Sequence, residues 1–159
     1  MRKTLELIVL GALGLLVWIS YQAIYGPDPL PERIPTHFNS SGQANGWGPP
    51  SSLWLLPMVA VGLDLLISVV ALFPAAFNFP VRATAVNRPR LEALTLQMIA
   101  WLKVELTCLF LYIQWSIIQS VRGGRGTLSP LIVPLFLAAV FGNILFHAVA
   151  VFRTARDRA

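Results

Sequence analysis

The chain has 159 residues, of which 56% are hydrophobic and only 12% are charged. A water-soluble domain of this length cannot bury so much apolar surface, because a small fold keeps a large share of its surface in contact with water. The composition therefore predicts an integral membrane protein with a single domain over residues 1–159. The formal charge of +5 would suit a nucleic-acid binder. However, the basic residues lie in short segments between apolar runs rather than on one face, which argues against nucleic acid as a partner.

Four apolar runs follow one another along the chain, and each reaches the ~20 residues that a helix needs to cross the hydrocarbon core of a bilayer. The runs are continuously apolar rather than alternating. This favours helices over strands, because backbone groups in lipid must pair within the segment. The predicted fold class is all-α, a four-helix transmembrane bundle with helices over 5–24, 52–77, 94–118 and 128–152.

The first run follows Met1-Arg2-Lys3, so a secretory signal peptide is the competing interpretation. The run is long for the apolar core of a signal peptide, and no convincing small-x-small cleavage site follows it. We therefore expect an uncleaved anchor helix.

The Lys and Arg residues outside the runs predict the orientation through the positive-inside rule. Eight of them fall at one end of the helices: Arg2, Lys3, Arg82, Arg88, Arg90, Arg153, Arg156 and Arg158. Three fall at the other end: Arg33, Arg122 and Arg125. We expect both termini in the cytoplasm and the loop over residues 27–50 on the exterior.

That exterior loop is rich in proline and glycine, and its composition predicts an ordered segment. Over residues 34–39 the side chains alternate in a way that is typical of a short extended segment lying on a surface. Gly42 and the pair Asn45-Gly46 predict two turns. Such a loop either packs on the helix ends as a lid or carries function, and the residues leave both interpretations open.

The loop also carries a motif. The string LPERIPTHFN from Leu30 to Asn39, followed by Gly42 and then by GWG over 46–48, resembles the signature of the bacterial DUF1648-type membrane domain. This domain also stands at the N-terminal end of SdpI-like immunity proteins, which protect cells from a sporulation-delaying peptide toxin. The residues that carry the resemblance are Pro31, Arg33, Ile34, Pro35, His37, Phe38, Asn39, Gly42, Gly46 and Gly48. It covers about the first half of the chain, and after Leu91 the second helical region of the immunity proteins has no recognisable counterpart.

The resemblance implies a non-enzymatic, multi-pass protein of the bacterial inner (plasma) membrane. It further implies an immunity or sensor role in which the exterior loop binds a peptide or protein partner. The residues expected to carry that binding are Arg33, His37, Phe38, Asn39 and Trp47. No catalytic residue and no cofactor come with the family. A metal site is not expected either, because His37 and His147 should lie on opposite sides of the membrane.

Ionisable side chains inside the apolar runs are costly in a bilayer, so each of them needs a partner. Asp64 lies about twelve residues into the second helix and Lys103 about nine residues into the third, so at 1.5 Å per residue both fall near the midplane. The leading prediction is a buried Asp64–Lys103 pair.

Two further partners are predicted from helix periodicity and depth. Glu105 points to nearly the opposite face of its helix from Lys103, and Asn143 on the fourth helix is its candidate partner. His147 is expected near the depth of Glu6 on the first helix, which makes these two side chains a candidate pair.

The intramembrane polar residues leave two functional alternatives to the binding loop. One is a small ion-coupled transporter that uses Asp64, Glu105 and His147 as a relay and that, with only four helices, requires a homo-oligomer. The other is an accessory subunit of a larger membrane complex, for which the face of Glu105 is contact surface. The purely structural interpretation is that these residues form interhelical pairs that hold the bundle together.

Overall fold

The computed structural model describes residues 1–123 and 129–156, and the side chains of these residues except 155 and 156. Four helices follow one another along the chain: α1 (Arg2–Tyr25), α2 (Leu55–Ala71), α3 (Arg88–Arg122) and α4 (Ile132–Arg156). The α1–α2 connection holds two strands, β1 (Ile34–Phe38) and β2 (Ala44–Gly48). Short 3₁₀ turns cover Pro50–Trp54 and Pro74–Ala76. All four helices, with α2 counted together with the turn before it, are long and apolar enough to cross a bilayer. The chain is a multi-pass membrane protein.

The first three helices form one packed unit. The most extensive interface is between α1 and α3, and α2 lies against both of them, whereas α4 packs mainly on α3. One apolar cluster joins the middle of the three helices around Leu16 and Ala60. A second cluster, around Ile34, Leu53 and Ile117, ties the α1–α2 connection to the ends of α1 and α3.

Contacts at the two ends of α3 show how the helices are oriented. At one end Arg122 Nη2 lies 3.7 Å from Asp28 Oδ2, just beyond α1. At the other end Gln97 Nε2 lies 3.9 Å from Met1 Sδ. Because α1 and α3 therefore run in parallel, residues 26–54 lie at the opposite end of the bundle from residues 72–87.

The predicted bounds of the second and third helices need correction. The second was expected over 52–77, but it opens with the 3₁₀ turn and ends at Ala71. Pro74 disfavours helical geometry at the residue before it, and Phe73 accordingly leaves the helical region with φ −116° and ψ 57°.

The third helix was expected over 94–118, but it extends from Arg88 to Arg122. Pro89 stands in its first turn, a position that suits proline. Just before the helix, Thr84 N–H donates to Asn87 Oδ1 (2.7 Å) and Asn87 N–H donates to Thr84 Oγ1 (3.2 Å), which orders the turn that leads into it. The predicted start of the fourth helix at Leu128 lies outside the described residues. Its C-terminal end lies at Arg156 rather than 152.

Candidate functional site

The motif loop folds as a β-hairpin whose foot packs on the helix ends. β1 and β2 pair antiparallel, with Ile34 opposite Gly48 and Phe38 opposite Ala44. Ile34 is fully buried in the cluster that it shares with α1 and α3. The predicted extended segment is therefore confirmed as a strand, and its apolar face fixes the hairpin to the bundle.

Several motif residues are explained by the turn of the hairpin and the close approach of its strands. Asn39 Oδ1 accepts the backbone N–H groups of Ser41 (3.0 Å) and Gln43 (2.9 Å), which closes the turn. Gly42 has φ 76°, a left-handed conformation that favours glycine. A Cβ added to Gly46 would lie 2.9 Å from His37 Cβ. The turn at Gly42 is confirmed, but the predicted turn at Asn45-Gly46 is wrong, because both residues lie in β2.

The five predicted partner-binding residues divide into two groups. Phe38 packs partly on the apolar cluster at the hairpin foot, and Asn39 is used by the turn. Arg33, His37 and Trp47 are exposed, Trp47 to 53%. The His37 ring is nevertheless oriented by its neighbour in β2, because Nδ1 lies 2.5 Å from Asn45 Oδ1.

A groove runs between β1 and the helices beneath it. Its volume is about 300 Å³, and we call it the hairpin groove. It is lined by the motif residues 35–38 on one side and mainly by apolar side chains of α2, α3 and the preceding turn on the other, among them Leu53, Leu55, Ile113 and Ile117.

An ionic cluster lies in the interface of the first three helices, toward the end that holds residues 72–87. Lys103 is 3% exposed, and its Nζ lies 3.1 Å from Asp64 Oδ1, which confirms the predicted pair. The same Nζ donates to Glu6 Oε2 (2.5 Å) and to Ser68 Oγ (2.9 Å). One ammonium thus joins α1, α2 and α3 and satisfies most of its hydrogen-bonding capacity inside the bundle.

A cleft reaches this ionic cluster from the bundle end. It measures about 510 Å³ and includes Glu6, Ser68, Arg2 and Lys3 in its lining; we call it the Glu6 cleft. The Glu6 side chain is 41% exposed, whereas that of Asp64 is only 13% exposed. The cluster is therefore open to its surroundings through Glu6.

Residues 7–61 match DUF1648, a domain of unknown function. The match runs through most of α1, the whole hairpin and the start of α2, and covers about a third of the chain. Neither the curated proteins nor the solved structures gave a match.

The DUF1648 segment contains the hairpin but not the ionic cluster. Glu6 precedes the matched residues, and Asp64, Ser68 and Lys103 follow them. The motif recognised in the sequence and the intramembrane charges therefore belong to different parts of the chain, at different ends of the bundle.

A second polar site lies between α3 and α4, on the other side of α3 and outside the DUF1648 segment. Asn143 Nδ2 donates to Glu105 Oε2 (3.2 Å), which confirms the predicted partner, and also to the carbonyl of Met98 (3.3 Å). Glu105, Asn143 and His147 line a shallow cleft of about 510 Å³ together with aromatic side chains. The structure thus brings these three residues together and places Asp64 at a different helix interface.

The predicted Glu6–His147 pair is wrong. Glu6 bonds to Lys103, while His147 Nδ1 lies 3.0 Å from the carbonyl of Asn143, one turn earlier in α4. His147 Nε2 and Asn143 Oδ1 have no hydrogen-bond partner among the described residues. The physical reason is that α4 lies on α3 rather than beside α1, so similar depth did not bring the two side chains together.

One buried polar residue was not singled out in the sequence. Gln114 of α3 is 0% exposed, and its Nε2 donates to Ser20 Oγ (2.7 Å) and to the carbonyl of Leu53 (3.0 Å). These bonds join α1, α3 and the turn before α2 directly beneath the hairpin groove. The signal available in the sequence was an amide side chain within an apolar run, at the same end of the bundle as a serine of α1.

Proposed function

We propose that this chain is a non-enzymatic membrane protein of the immunity or sensor type, whose hairpin binds a peptide or protein partner outside the membrane. The single observation that carries the proposal is the hairpin groove, which motif residues 35–38 line and beside which Arg33 and Trp47 remain exposed. The fold positions this surface firmly, because Ile34 and Leu30 bury the hairpin foot in the bundle.

The groove and its rim have the chemistry of a peptide site. Its lining is mainly apolar, and exposed aromatic and arginine side chains are enriched where proteins meet partners. A hairpin also leaves one edge of each strand unpaired, to which an extended peptide can add a strand. The proposed exterior position rests on the excess of Lys and Arg predicted for the other end of the helices.

The proposal is tested by gentle extraction from the native membrane followed by mass spectrometry of what co-purifies. We expect a stoichiometric peptide or protein with the wild type, and its loss in Trp47→Ala and Arg33→Ala. Trp18→Ala is a matched control, because Trp18 is similarly exposed but lies within α1, outside the hairpin and the lining of its groove. Equal loss in the control would argue against hairpin binding, and failed insertion of Arg33→Ala would indicate a structural role for the motif.

Ion-coupled transport by an oligomer is a second candidate, and one observation favours it. The Glu6 cleft reaches two of the groups bound to Lys103, namely Glu6 and Ser68. One ammonium beside two carboxylates leaves a formal charge of −1, which attracts a proton or a small cation.

The transport proposal is tested by ion or proton flux into proteoliposomes. Asp64→Asn removes one carboxylate and leaves Glu6 paired with Lys103, so we expect a folded protein without flux. Normal flux in Asp64→Asn would exclude the relay. The absence of flux from the wild type, when reconstituted as a defined oligomer, would favour the binding role.

A further inference from the structure

A third cleft lies between α3 and α4 near the end of the bundle that holds Met1 and the α2–α3 connection. Its volume is about 550 Å³. Arg90, at the start of α3, and Arg153, near the end of α4, both line it. We call it the basic cleft, since the described residues of its lining supply two guanidinium groups and no carboxylate.

The rest of the lining is almost entirely apolar. It comprises Leu94 of α3 and Gly142, Leu145, Phe146, Val149, Ala150 and Thr154 of α4. The polar atom of Thr154 is already used, because its Oγ1 donates to the carbonyl of Ala150 (2.9 Å). The cleft therefore offers positive charge at one end and hydrocarbon along its length.

The length of the cleft matches one leaflet of a membrane. Gly142 and Arg153 are eleven residues apart on α4, which is roughly 16 Å at 1.5 Å rise per residue. One leaflet contributes about 15 Å to a hydrocarbon core of ~30 Å. An acyl chain that starts at the arginines can therefore follow α4 to Gly142, where the helix has no side chain in the way.

We propose that the basic cleft binds one anionic phospholipid, with its phosphate between Arg90 and Arg153 and an acyl chain against Leu145, Phe146 and Val149. Two guanidinium groups suit the phosphate diester, because each can donate two parallel hydrogen bonds to its oxygens. Basic pockets between transmembrane helices are known to recognise anionic headgroups. Charge complementarity favours this lipid over a second helix, which would leave both cations facing apolar surface.

The Glu6 cleft provides an internal comparison. It lies at the same end of the bundle and also has two basic residues, Arg2 and Lys3, but the carboxylate of Glu6 lies among them. That carboxylate repels a phosphate. The two clefts thus differ in the charge that decides lipid selectivity, and the basic cleft is the one that suits an anionic headgroup.

The test is native mass spectrometry of the full chain in mild detergent, with phosphatidylglycerol or phosphatidylcholine added in equal amounts. We expect one phosphatidylglycerol bound to the wild type in clear preference to phosphatidylcholine. The double variant Arg90→Gln/Arg153→Gln should bind it roughly ten- to thirty-fold more weakly. Each basic residue near an anionic headgroup changes the binding affinity by roughly a factor of five. Arg82→Gln removes a charge from the α2–α3 connection, outside the cleft, and should bind like the wild type.

A second variant tests the apolar wall independently of the charges. Val149→Trp fills the cleft and should reduce binding of phosphatidylglycerol while the thermal unfolding midpoint remains close to that of the wild type. Three results would overturn the proposal: equal binding of the two lipids, unchanged binding in the double variant, or displacement of the lipid by millimolar inorganic phosphate. A protein dimer that forms in place of the lipid complex and dissociates in the double variant would assign the cleft to a second copy instead.

Discussion

The two sides of α3 hold the bundle together in different ways. On one side, Lys103 and Gln114 each bond to two other segments, and apolar clusters fill the space between them. On the other side, α4 is joined mainly through Asn143, which donates to Glu105 and to the carbonyl of Met98, both in α3. The first side behaves as the structural unit, whereas α4 is a helix attached to that unit mainly through its contacts with α3.

The strongest test of this difference between the two sides is to remove the central cation, the ammonium group of Lys103. Lys103→Met leaves Glu6 and Asp64 as like charges without a counter-charge, and loss of one partner from a buried ion pair costs about 3–5 kcal/mol. We expect a loss of this size in the free energy of unfolding, measured by denaturation in mixed micelles. Lys3→Met is the control, since Lys3 is exposed.

A triple variant checks that the charge imbalance is the cause. Lys103→Met combined with Glu6→Gln and Asp64→Asn removes all three charges and should recover most of the lost stability. If Lys103→Met alone were as stable as the wild type, the ionic cluster would contribute nothing to the unit and the contrast between the two sides of α3 would fail.

The hairpin belongs to the structural unit, and it can be tested through Gly46. Gly46→Val places a branched side chain where a Cβ alone would lie 2.9 Å from His37 Cβ. Overpacking of this kind costs about 1–3 kcal/mol, and we expect a comparable loss in the free energy of unfolding. Gly62→Val is the control, because nothing lies within 4 Å of a Cβ added there. Equal losses in the two variants would mean that the added bulk itself, and not the close approach of Gly46 to His37, sets the effect.

The helices were predictable from the sequence because length and apolarity alone decide what can span a bilayer. Asp64–Lys103 and Glu105–Asn143 were predictable because depth and helical face follow from sequence position. Glu6 was assigned to the wrong partner, since depth does not tell which helices are neighbours. The long Lys103 side chain can also reach along the bundle to a carboxylate several residues away in depth.

The hairpin was only partly predictable for a related reason. The backbone preference of glycine predicts the turn at Gly42. The pairing of Gly46 with His37, however, is set by the register between two strands. Gln114 was overlooked because its partners, Ser20 and Leu53, come from segments that are distant in sequence. Contacts between distant segments could not be predicted where the position of a residue in the sequence did not indicate its partner.

The polar link beneath the hairpin should make a smaller contribution than the ionic cluster. Gln114→Leu keeps a similar volume but removes the donors to Ser20 Oγ and to the Leu53 carbonyl. Hydrogen bonds between membrane helices contribute about 1–2 kcal/mol in model peptides, and we expect a loss near that value. Gln119→Leu is the control, because Gln119 lies on the same helix with an exposed side chain. A larger loss for Gln119→Leu would show that the Gln114 bonds do not link the segments.

The smallest effect is expected where α4 meets α3. A double-mutant cycle with Glu105→Gln and Asn143→Leu isolates the coupling between the two side chains, because subtracting the single variants removes the separate effect of each. Interhelical polar pairs in membranes average about 0.6 kcal/mol in such cycles, and the 3.2 Å contact should fall near that value. Coupling as strong as the loss in Lys103→Met would make α4 part of the structural unit. A weak coupling instead supports an interface that can adjust when the neighbouring basic cleft takes up a lipid.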